Sequence, residues 1–369
     1  MAKSAINRRS AYHTQQLALF ERNSTDEPAL DLLQPLFRIR QNGYYGFINA
    51  RGDVVIEPQF LAAEDFYNGF SRVLLNDHWV LMDKLGRLLL RRLFSYVGFF
   101  SEGLAPVKLV RRWGYLDTSG QLRIEPKFEE AASFQEGLAP ARLGGRWGYL
   151  KTDGTWGIPP QFLAAGAFGN GLAPVQLDTD WAYIDAEGQV VMVLPFDECY
   201  PFQRDVAPIR KDRQWGLVHR FSDVLVEPQF DIPEQEPFGE FVEGLAPALL
   251  DGQYGYINEM GQLVIPPRYD LAGDFSEGLA PVQLKQSFGF TDKNGDIAVD
   301  FHFTNAGIFS EGLAPVKVDA QWGFIHTAGD MVIPPCYDAV LPFRDTLAWT
   351  EKKGQWAYID RNGQTVWSE

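Results

Sequence analysis

Apolar and polar residues alternate in short runs along this chain of 369 residues, and glycine and proline separate the runs. In residues 113–117, for example, Trp113, Tyr115 and Asp117 alternate with Gly114 and Leu116. Alternation with a period of two is typical of a β-strand that buries one face. The segments between the glycines and prolines are four to seven residues long, which is strand length. The pattern therefore predicts an all-β protein.

The alternating motif recurs at a nearly constant interval. The aromatic residues that begin it are 34 residues apart in eight intervals and 39 residues apart in the ninth. These residues are Tyr45, Trp79, Trp113, Trp147, Trp181, Trp215, Tyr254, Phe288, Trp322 and Trp356. Two further tracks of aromatic residues keep the same step and place the five extra residues within 231–240. One structural unit is therefore copied about ten times.

Proline decides the secondary structure of the unit, because a period of 34 residues also occurs in arrays of paired helices. Five units contain Ile-Glu-Pro or Ile-Pro-Pro, as at Pro58, and six contain Leu-Ala-Pro, as at Pro106. Each proline inside a helix would cost about 3 kcal/mol. We therefore predict three antiparallel strands in each unit, with the third ending at proline. The next segment, which contains a further Phe, is predicted to be the connector to the following unit.

Two glycines that recur in most units have expected roles. Gly120 ends the sequence Asp-Thr-Ser-Gly, and a glycine there is free to take the positive φ that a tight hairpin turn requires. Gly114, beside Trp113, is expected to leave room for an aromatic ring from a neighbouring strand. Ala182 and Ala357 replace this second glycine in two units, and Val80 replaces it in another.

The domain organisation follows from the repeats. Residues 36–369 are expected to form one β-repeat array with an insertion within 231–240, and residues 1–35 a short, partly helical N-terminal cap or tail. We favour an open, twisted array of about ten three-stranded antiparallel meanders. A closed, propeller-like ring is the alternative.

Three recurring motifs, Trp-Gly-Tyr-Leu-Asp, x-Gly-x-Leu-x-Ile-Glu-Pro-x-Phe and Phe-x-Glu-Gly-Leu-Ala-Pro-Val, resemble those of the bacterial WG-repeat family. The match spans roughly residues 36–368. The resemblance implies a β-repeat interaction module without a shared catalytic motif. Some members of the family occur near secreted toxin systems. We therefore expect a protein-protein interaction scaffold, with an immunity-type protein that neutralises a toxin as the alternative.

Composition narrows the possible partners. The net charge is -15, and binding to nucleic acid phosphates requires a basic face, so nucleic acid is not expected. The sequence contains no apolar segment of membrane-helix length and no recognisable leader peptide, which predicts a cytoplasmic protein without membrane attachment. Cys199 and Cys336 occupy different positions in their units and are expected to be free thiols.

The repeated acids are the first candidates for chemistry. Glu136 stands before Gly-Leu and Asp117 at a turn, and both positions recur as acids in other units. An active site is normally built once, so these carboxylates are expected to be structural. A turn with one carboxylate is also too poor in oxygen ligands for calcium. The repeated Trp rings are expected to pack between units. We predict no catalytic residue, no metal and no cofactor. A carbohydrate-binding module or a hydrolase is the less favoured alternative.

Partner binding is expected where the copies differ. One such place is a basic cluster on an acidic protein, and its candidate residues are Arg87, Arg91, Arg92, Lys108, Arg111 and Arg112. It would attract an acidic segment of another protein, because Arg binds carboxylates in bidentate fashion. Ordinary surface variation is the alternative. The second place is the insertion, with Glu234, Glu236 and Phe238, where Phe238 either anchors a partner or packs back onto the array. The acidic remainder of the array suggests a basic partner or a toxin.

Overall fold

A computed structural model of the protein describes residues 34–75, 77–89, 94–221, 224–231 and 240–369. All regular secondary structure within these ranges is β-strand. The prediction of an all-β repeat protein is therefore confirmed. The predicted N-terminal cap falls outside the described residues except at positions 34 and 35, and so does the insertion except at positions 231 and 240.

The strands form ten small antiparallel sheets, numbered here in chain order. Two compact units contain them. Unit 1, Met1–Lys127, holds sheets 1 to 3 apart from the last residue of sheet 3, and unit 2, Phe128–Glu369, holds sheets 4 to 10.

In unit 1, sheet 1 consists of β1 (Phe37–Gln41), β2 (Tyr44–Ile48) and β3 (Val54–Phe60). Sheet 2 consists of β4 (Ala62–Ala63), β5 (Phe70–Leu75) and β6 (His78–Asp83). Sheet 3 consists of β7 (Tyr96–Val97), β8 (Leu104–Leu109), β9 (Arg112–Asp117) and β10 (Leu122–Phe128).

In unit 2, sheet 4 consists of β11 (Glu130–Ala131), β12 (Leu138–Leu143), β13 (Arg146–Lys151) and β14 (Trp156–Phe162). Sheet 5 consists of β15 (Ala164–Ala165), β16 (Ala173–Gln176), β17 (Trp181–Ile184) and β18 (Val190–Leu194). Sheet 6 consists of β19 (Glu198–Cys199), β20 (Val206–Lys211), β21 (Gln214–His219) and β22 (Val224–Asp231). Sheet 7 consists of β23 (Leu245–Leu250), β24 (Gln253–Asn258) and β25 (Leu263–Tyr269).

Sheet 8 consists of β26 (Leu271–Ala272), β27 (Leu279–Leu284), β28 (Ser287–Asp292) and β29 (Ile297–Phe303). Sheet 9 consists of β30 (Asn305–Ala306), β31 (Leu313–Val318), β32 (Gln321–His326) and β33 (Met331–Tyr337). Sheet 10 consists of β34 (Ala339–Val340), β35 (Ala348–Lys352), β36 (Gln355–Ile359) and β37 (Thr365–Ser368).

Each sheet is a meander in which consecutive strands pair, and its four-stranded form is the strand pattern of a propeller blade. Two details differ from the sequence-based prediction. The connector supplies a short strand of its own, since Glu130 pairs with Arg142 and Ala131 with Ala141 in sheet 4. The third strand does not end at proline but continues to the following aromatic residue, as β14 does to Phe162.

The glycine beside the lead aromatic is required by the backbone of the third strand. In sheet 4, Trp147 pairs with Phe162 and Tyr149 with Ile158, so the third strand is bulged opposite Gly148. A Cβ atom at Gly148 would lie 2.5 Å from the Ile158 carbonyl oxygen. The corresponding distances at Gly46, Gly114, Gly216, Gly255, Gly289 and Gly323 are 2.3 to 2.6 Å. The expectation that this glycine accommodates a ring was wrong.

Ala182 stands at the position of Gly148 in sheet 5, and the strand pairing there explains why a glycine is not required. It lies opposite Val193, and the residues on either side pair in continuous register, Trp181 with Leu194 and Tyr183 with Met192. The third strand of sheet 5 therefore has no bulge opposite Ala182, and a Cβ atom fits there. Ala357 is likewise paired in register, with Ser368.

Within each unit, the core lies between consecutive sheets. In one cluster, Tyr149 and Ile158 of sheet 4 pack with Val175 and Ile184 of sheet 5 and with Phe168 of the intervening segment. The rings of Tyr149 and Phe168 meet edge to face at 4.9 Å. Edge-to-face or tilted ring contacts between residues 19 apart recur at Phe47–Phe66, Tyr183–Phe202, Tyr256–Phe275, Phe290–Phe309 and Phe324–Phe343. Such aromatic pairs contribute about 0.5–1.5 kcal/mol each beyond their buried area.

The buried tyrosines of the second strand also satisfy their hydroxyl groups. Tyr149 donates to the Gly166 carbonyl at 2.8 Å, Tyr183 to that of Tyr200 at 2.7 Å, and Tyr256 to that of Gly273 at 2.8 Å. Burial raises the pKa of all three hydroxyls above the ordinary tyrosine value. These groups stay neutral and act as ties between a strand and the short strand segment that begins the next sheet.

Candidate functional site

Glutamates that precede Gly-Leu tie four pairs of consecutive repeats together in unit 2. Glu277 occupies a two-residue turn with Gly278, and both residues have positive φ, 55° and 82°. Its carboxylate oxygens accept the backbone N–H of Gly312 at 3.1 and 2.9 Å. The same bond joins Glu136 to Gly171, Glu243 to Gly278 and Glu311 to Thr346. These carboxylates are engaged in the scaffold.

The other repeated acids stabilise turns. The Asp117 carboxylate accepts the backbone N–H groups of Ser119 and Gln121 at 2.9 and 3.1 Å. The hydrogen bond from the Ser119 hydroxyl is the main cause that lowers the Asp117 pKa. An acid in the connector does similar work in the hairpin between the first two long strands, since Asp270 accepts the N–H of Lys285 at 2.7 Å. Local folding therefore accounts for the recurrence of these acids.

The lead aromatics are partly buried at every described position except Trp215, which is buried. Trp181 donates its ring N–H to the Asp197 carbonyl at 2.8 Å. Trp215 packs against Tyr200, with the ring centroids 4.9 Å apart. Tyr45, Trp79, Trp113, Trp147, Tyr254, Phe288, Trp322 and Trp356 make up the rest of the set. Their partial burial favours packing over ligand binding.

The copies differ most clearly in charge around sheet 3. Residues 84–112 contain seven Lys or Arg and one Glu, in a chain of net charge -15. The structure brings part of this set together at the hairpin that joins β8 to β9. Arg111 and Arg112 are exposed there, and Lys108 lies with its ammonium 5.3 Å from the Trp113 ring centroid. The guanidinium of Arg112 also donates to the Lys127 carbonyl at 3.4 Å.

An exposed tyrosine completes this surface. Tyr96 pairs with Lys108 across β7 and β8, and its ring lies 5.1 Å from that of Trp113. The side chain is 43% exposed. We call Tyr96, Lys108, Arg111, Arg112 and Trp113 the basic-aromatic surface. The sequence analysis did not identify Tyr96 as a candidate. A comparison of the units would have shown that it is unusual, because the corresponding position in others is not aromatic: Ala62, Glu130, Ala164, Glu198, Leu271, Asn305 or Ala339.

Arg72 of sheet 2 extends the aromatic contacts. Its guanidinium lies 5.8 Å from the Tyr96 ring centroid and 4.7 Å from that of Phe99. Two nitrogens of Arg72 donate to the Glu64 carboxylate, each at 2.6 Å. This fixed cation orients Tyr96 rather than offering a free charge, because its donors already face a carboxylate and the Val97 carbonyl.

Arg87 lies elsewhere. It follows the turn after β6 and bonds Asp83 at 2.7 Å. The Leu89 carbonyl, two residues after Arg87, lies against Gly120 in the turn that follows β9. Arg112 is the first residue of β9, so it lies at the other end of this strand. A strand of this length spans about 20 Å. Arg91, Arg92, Glu234, Glu236 and Phe238 are outside the described residues.

No group of three or more metal-ligating side chains occurs within the described ranges. In the same part of the chain, no helix is long and apolar enough to cross a membrane. Cys199 and Cys336 are both free thiols, as expected from the sequence.

The repeats match one family model, described as "WG containing repeat". The matched segments are residues 45–79, 81–109, 113–147, 147–178, 181–214, 215–254, 254–286, 288–321 and 322–356. The chain belongs to the WG containing repeat family. This confirms the family predicted from the Trp-Gly motif. No curated protein matches the sequence of this WG-repeat protein.

Several solved structures are similar to the WG-repeat protein at low sequence identity. A crystal structure titled as the eukaryotic initiation factor aligns with a TM-score of 0.53 and 10% identity over 91% of this chain and 96% of that chain. BamB from Moraxella catarrhalis aligns with a TM-score of 0.37 and 11% identity over 83% and 95%. Kluyveromyces lactis Hsv2p aligns with a TM-score of 0.34 and 9% identity over 65% and 96%. The first likeness supports the fold alone.

Proposed function

We propose that this WG-repeat protein is a non-catalytic scaffold that binds another protein. The observation that carries the proposal is the division of its charged residues into two groups. Repeated acids such as Glu277 and Asp117 have their carboxylates engaged in turns and between repeats. Arg111 and Arg112 are exposed beside two aromatic rings, and only this unit has arginine at both of these positions. The repeated carboxylates therefore serve the fold, whereas the exposed arginine pair of this unit is the feature that a partner would recognise.

The basic-aromatic surface fits an acidic segment of a partner protein. Arg111 and Arg112 provide guanidinium groups suited to carboxylates. Tyr96 and Trp113 add apolar ring surface, and residues of these types are enriched at binding hot spots. The net charge of the whole chain is -15, so its other faces would repel an acidic partner. This repulsion would favour binding at the basic-aromatic surface. Toxin neutralisation is a narrower form of this function, and it remains a prediction, as does the cytoplasmic location.

Charge reversal tests the proposal. Proteins retained from a lysate of the source cells would be compared for the wild type and the double variant Arg111→Glu, Arg112→Glu. The matched control is Lys352→Glu, Lys353→Glu, which makes the same charge change at exposed positions of the corresponding hairpin in sheet 10. We expect loss of a specific partner with the first variant only. Equal retention by all three proteins would contradict the proposed site.

A further inference from the structure

The outer strand of sheet 5 differs from the other outer strands. In each described sheet with a third long strand, that strand lies at the sheet edge. Six of these outer strands contain proline, namely β3, β10, β14, β22, β25 and β33. Proline lacks an N–H and so protects an edge from pairing with another chain. The strand β18, with sequence Val-Val-Met-Val-Leu, contains none.

The backbone of β18 presents hydrogen-bonding groups outward. Gly166 donates to the Pro174 carbonyl, which therefore points away from β17. Pro174 is opposite Tyr183, so Tyr183 directs its own backbone groups to the other side, toward its partner Met192. The next residue, Val193, then turns its N–H and C=O away from the sheet. Among the described strands, β18 pairs only with β17.

The side chains of β18 add an apolar surface. Val190, Val191 and Val193 are 49%, 51% and 53% exposed. Met192 and Leu194 instead pack into the core between sheets 5 and 6. Val193 is the distinctive member, because the corresponding position in other units is Glu57, Arg91, Glu125, Pro159, Glu227, Pro266, Asp300, Pro334 or Ser368. A position that carries a charge, a proline or a serine in the other units is here an exposed β-branched residue.

Two other described outer strands lack proline, but neither combines these features. The strand β29 carries Asp300 and is bulged opposite Gly289. The strand β37 has four residues, and its apolar members Val366 and Trp367 are only partly exposed. Sheet 5 therefore has the edge best suited to receive an added strand.

Acids predominate in the part of the sequence that contains β18. Residues 152–203 contain seven Asp or Glu and no Lys or Arg. Asp185 and Glu187 lie in the turn that precedes β18. At the other end of the strand, Asp180 precedes Trp181, which pairs with Leu194. The nearby Asp178 lies 3.7 Å from Arg146 and its side chain remains 91% exposed.

We propose that β18 binds an extended segment of a partner protein in which β-branched residues alternate with Lys or Arg. The segment would pair with the free edge and place its cations near the acids at both ends of the strand. A second copy of this chain is a poorer occupant, because edge-to-edge pairing would bring two sets of seven acids together. The inference rests on the proposed role as a protein-binding scaffold, but it uses none of the residues of the basic-aromatic surface.

A labelled peptide of alternating Lys and Val tests this proposal by fluorescence anisotropy. The wild-type protein should bind it, and added salt should weaken binding. Methylation of the peptide nitrogens on the paired edge should reduce affinity at least about tenfold, because the bonds to Val193 would be lost. This comparison uses the unaltered protein, so it does not depend on the folding of a variant.

Protein variants give the second part of the test. Val193→Lys should weaken peptide binding about tenfold, because it places a cation against a cationic peptide. Val332→Lys is the matched control, since Val332 is 39% exposed on an outer strand protected by Pro334 and Pro335, and it should bind like the wild type. Arg111→Glu, Arg112→Glu should also bind the peptide, which separates this site from the basic-aromatic surface.

Three outcomes would overturn the proposal. They are no binding of the Lys-Val peptide at millimolar concentration, equal binding of the methylated peptide, or equal weakening by Val193→Lys and Val332→Lys. Sedimentation of the protein alone distinguishes the other occupant. A wild-type dimer that Val193→Lys dissociates would assign the edge to a second copy and contradict the proposal.

Discussion

Both carboxylate oxygens of Glu277 accept the backbone N–H of Gly312, 35 residues further along the chain. Each of these residues belongs to the tight turn of its own repeat, so the bond joins corresponding points of consecutive units. The same relationship holds for Glu243 and Gly278, and for Glu311 and Thr346. This recurring acid therefore fixes the spacing of the repeats that it joins.

The Glu277 tie should contribute measurably to stability. We expect Glu277→Ala to lower the free energy of unfolding by about 1–2 kcal/mol, because a charge-assisted hydrogen bond to a backbone N–H is lost. Urea unfolding monitored by tryptophan fluorescence measures the change. Glu125→Ala is the control, because Glu125 is exposed on β10, and it should change stability by less than about 0.5 kcal/mol. Equal effects of the two substitutions would show that the tie has no energetic role.

The bulge opposite Gly148 predicts an intolerant position. Gly148→Ala should lower the free energy of unfolding by about 1–3 kcal/mol, because its Cβ would meet the Ile158 carbonyl at 2.5 Å. Ala182→Gly is the counterpart in the unit without this bulge, and its cost should not exceed about 1 kcal/mol. Thermal unfolding of the two variants tests the comparison. A smaller loss at Gly148 than at Ala182 would be incompatible with the steric explanation.

The ion pair between Glu243 and Lys293 predicts a pH dependence. The Lys293 ammonium lies 2.9 Å from the Glu243 carboxylate, and its hydrogen bond is the main cause that lowers the Glu243 pKa. Because the Glu243 pKa is lower in the folded protein than in the unfolded chain, the ionised carboxylate contributes to stability above the ordinary Glu pKa of about 4.3. This contribution is lost as the pH falls through the pKa of the folded state. Lys293→Met should therefore raise the Glu243 pKa, as measured by NMR titration.

The same variant should also change the pH profile of stability. Its unfolding free energy should be below that of the wild type near neutral pH, and the difference should shrink on acidification. Lys285→Met is the control, since Lys285 contacts Asp270 through its backbone N–H. A Glu243 pKa that does not respond to Lys293→Met would refute the assignment.

Cys199 should be protected from alkylation. Burial raises the pKa of its thiol to about 12, so only about one molecule in ten thousand would carry the thiolate at pH 8. In a Cys336→Ser background, iodoacetamide should label Cys199 slowly in buffer and rapidly in urea, as followed by mass spectrometry. Fast labelling of the folded protein would contradict the burial of this residue.

The sequence alone was sufficient to predict the repeated strands, because the 34-residue spacing and the alternation of Trp113, Tyr115 and Asp117 are visible in it. It could not show that the third strand bulges through its proline, because a bulge depends on the register between two strands. For the same reason the role of Gly148 was assigned to a ring instead of a backbone.

The candidate surface was predictable only in part. The basic composition of residues 84–112 is visible in the sequence, but the turn and hairpin that separate Arg87 from Arg112 are tertiary features. Tyr96 could have been found by comparing the copies position by position. The free edge at Val193 required the pairing pattern of β16, β17 and β18, because outward and inward backbone groups look identical in sequence.

The most direct test of the scaffold account compares stability and partner retention in two variants. Glu277→Ala alters a repeated tie, whereas Arg111→Glu, Arg112→Glu alters the basic-aromatic surface of sheet 3. The account predicts that the first variant has a lower melting temperature and still retains the partner captured by the wild type. It predicts that the second has an unchanged melting temperature and loses that partner. Partner retention by the arginine variant at wild-type level would contradict the account.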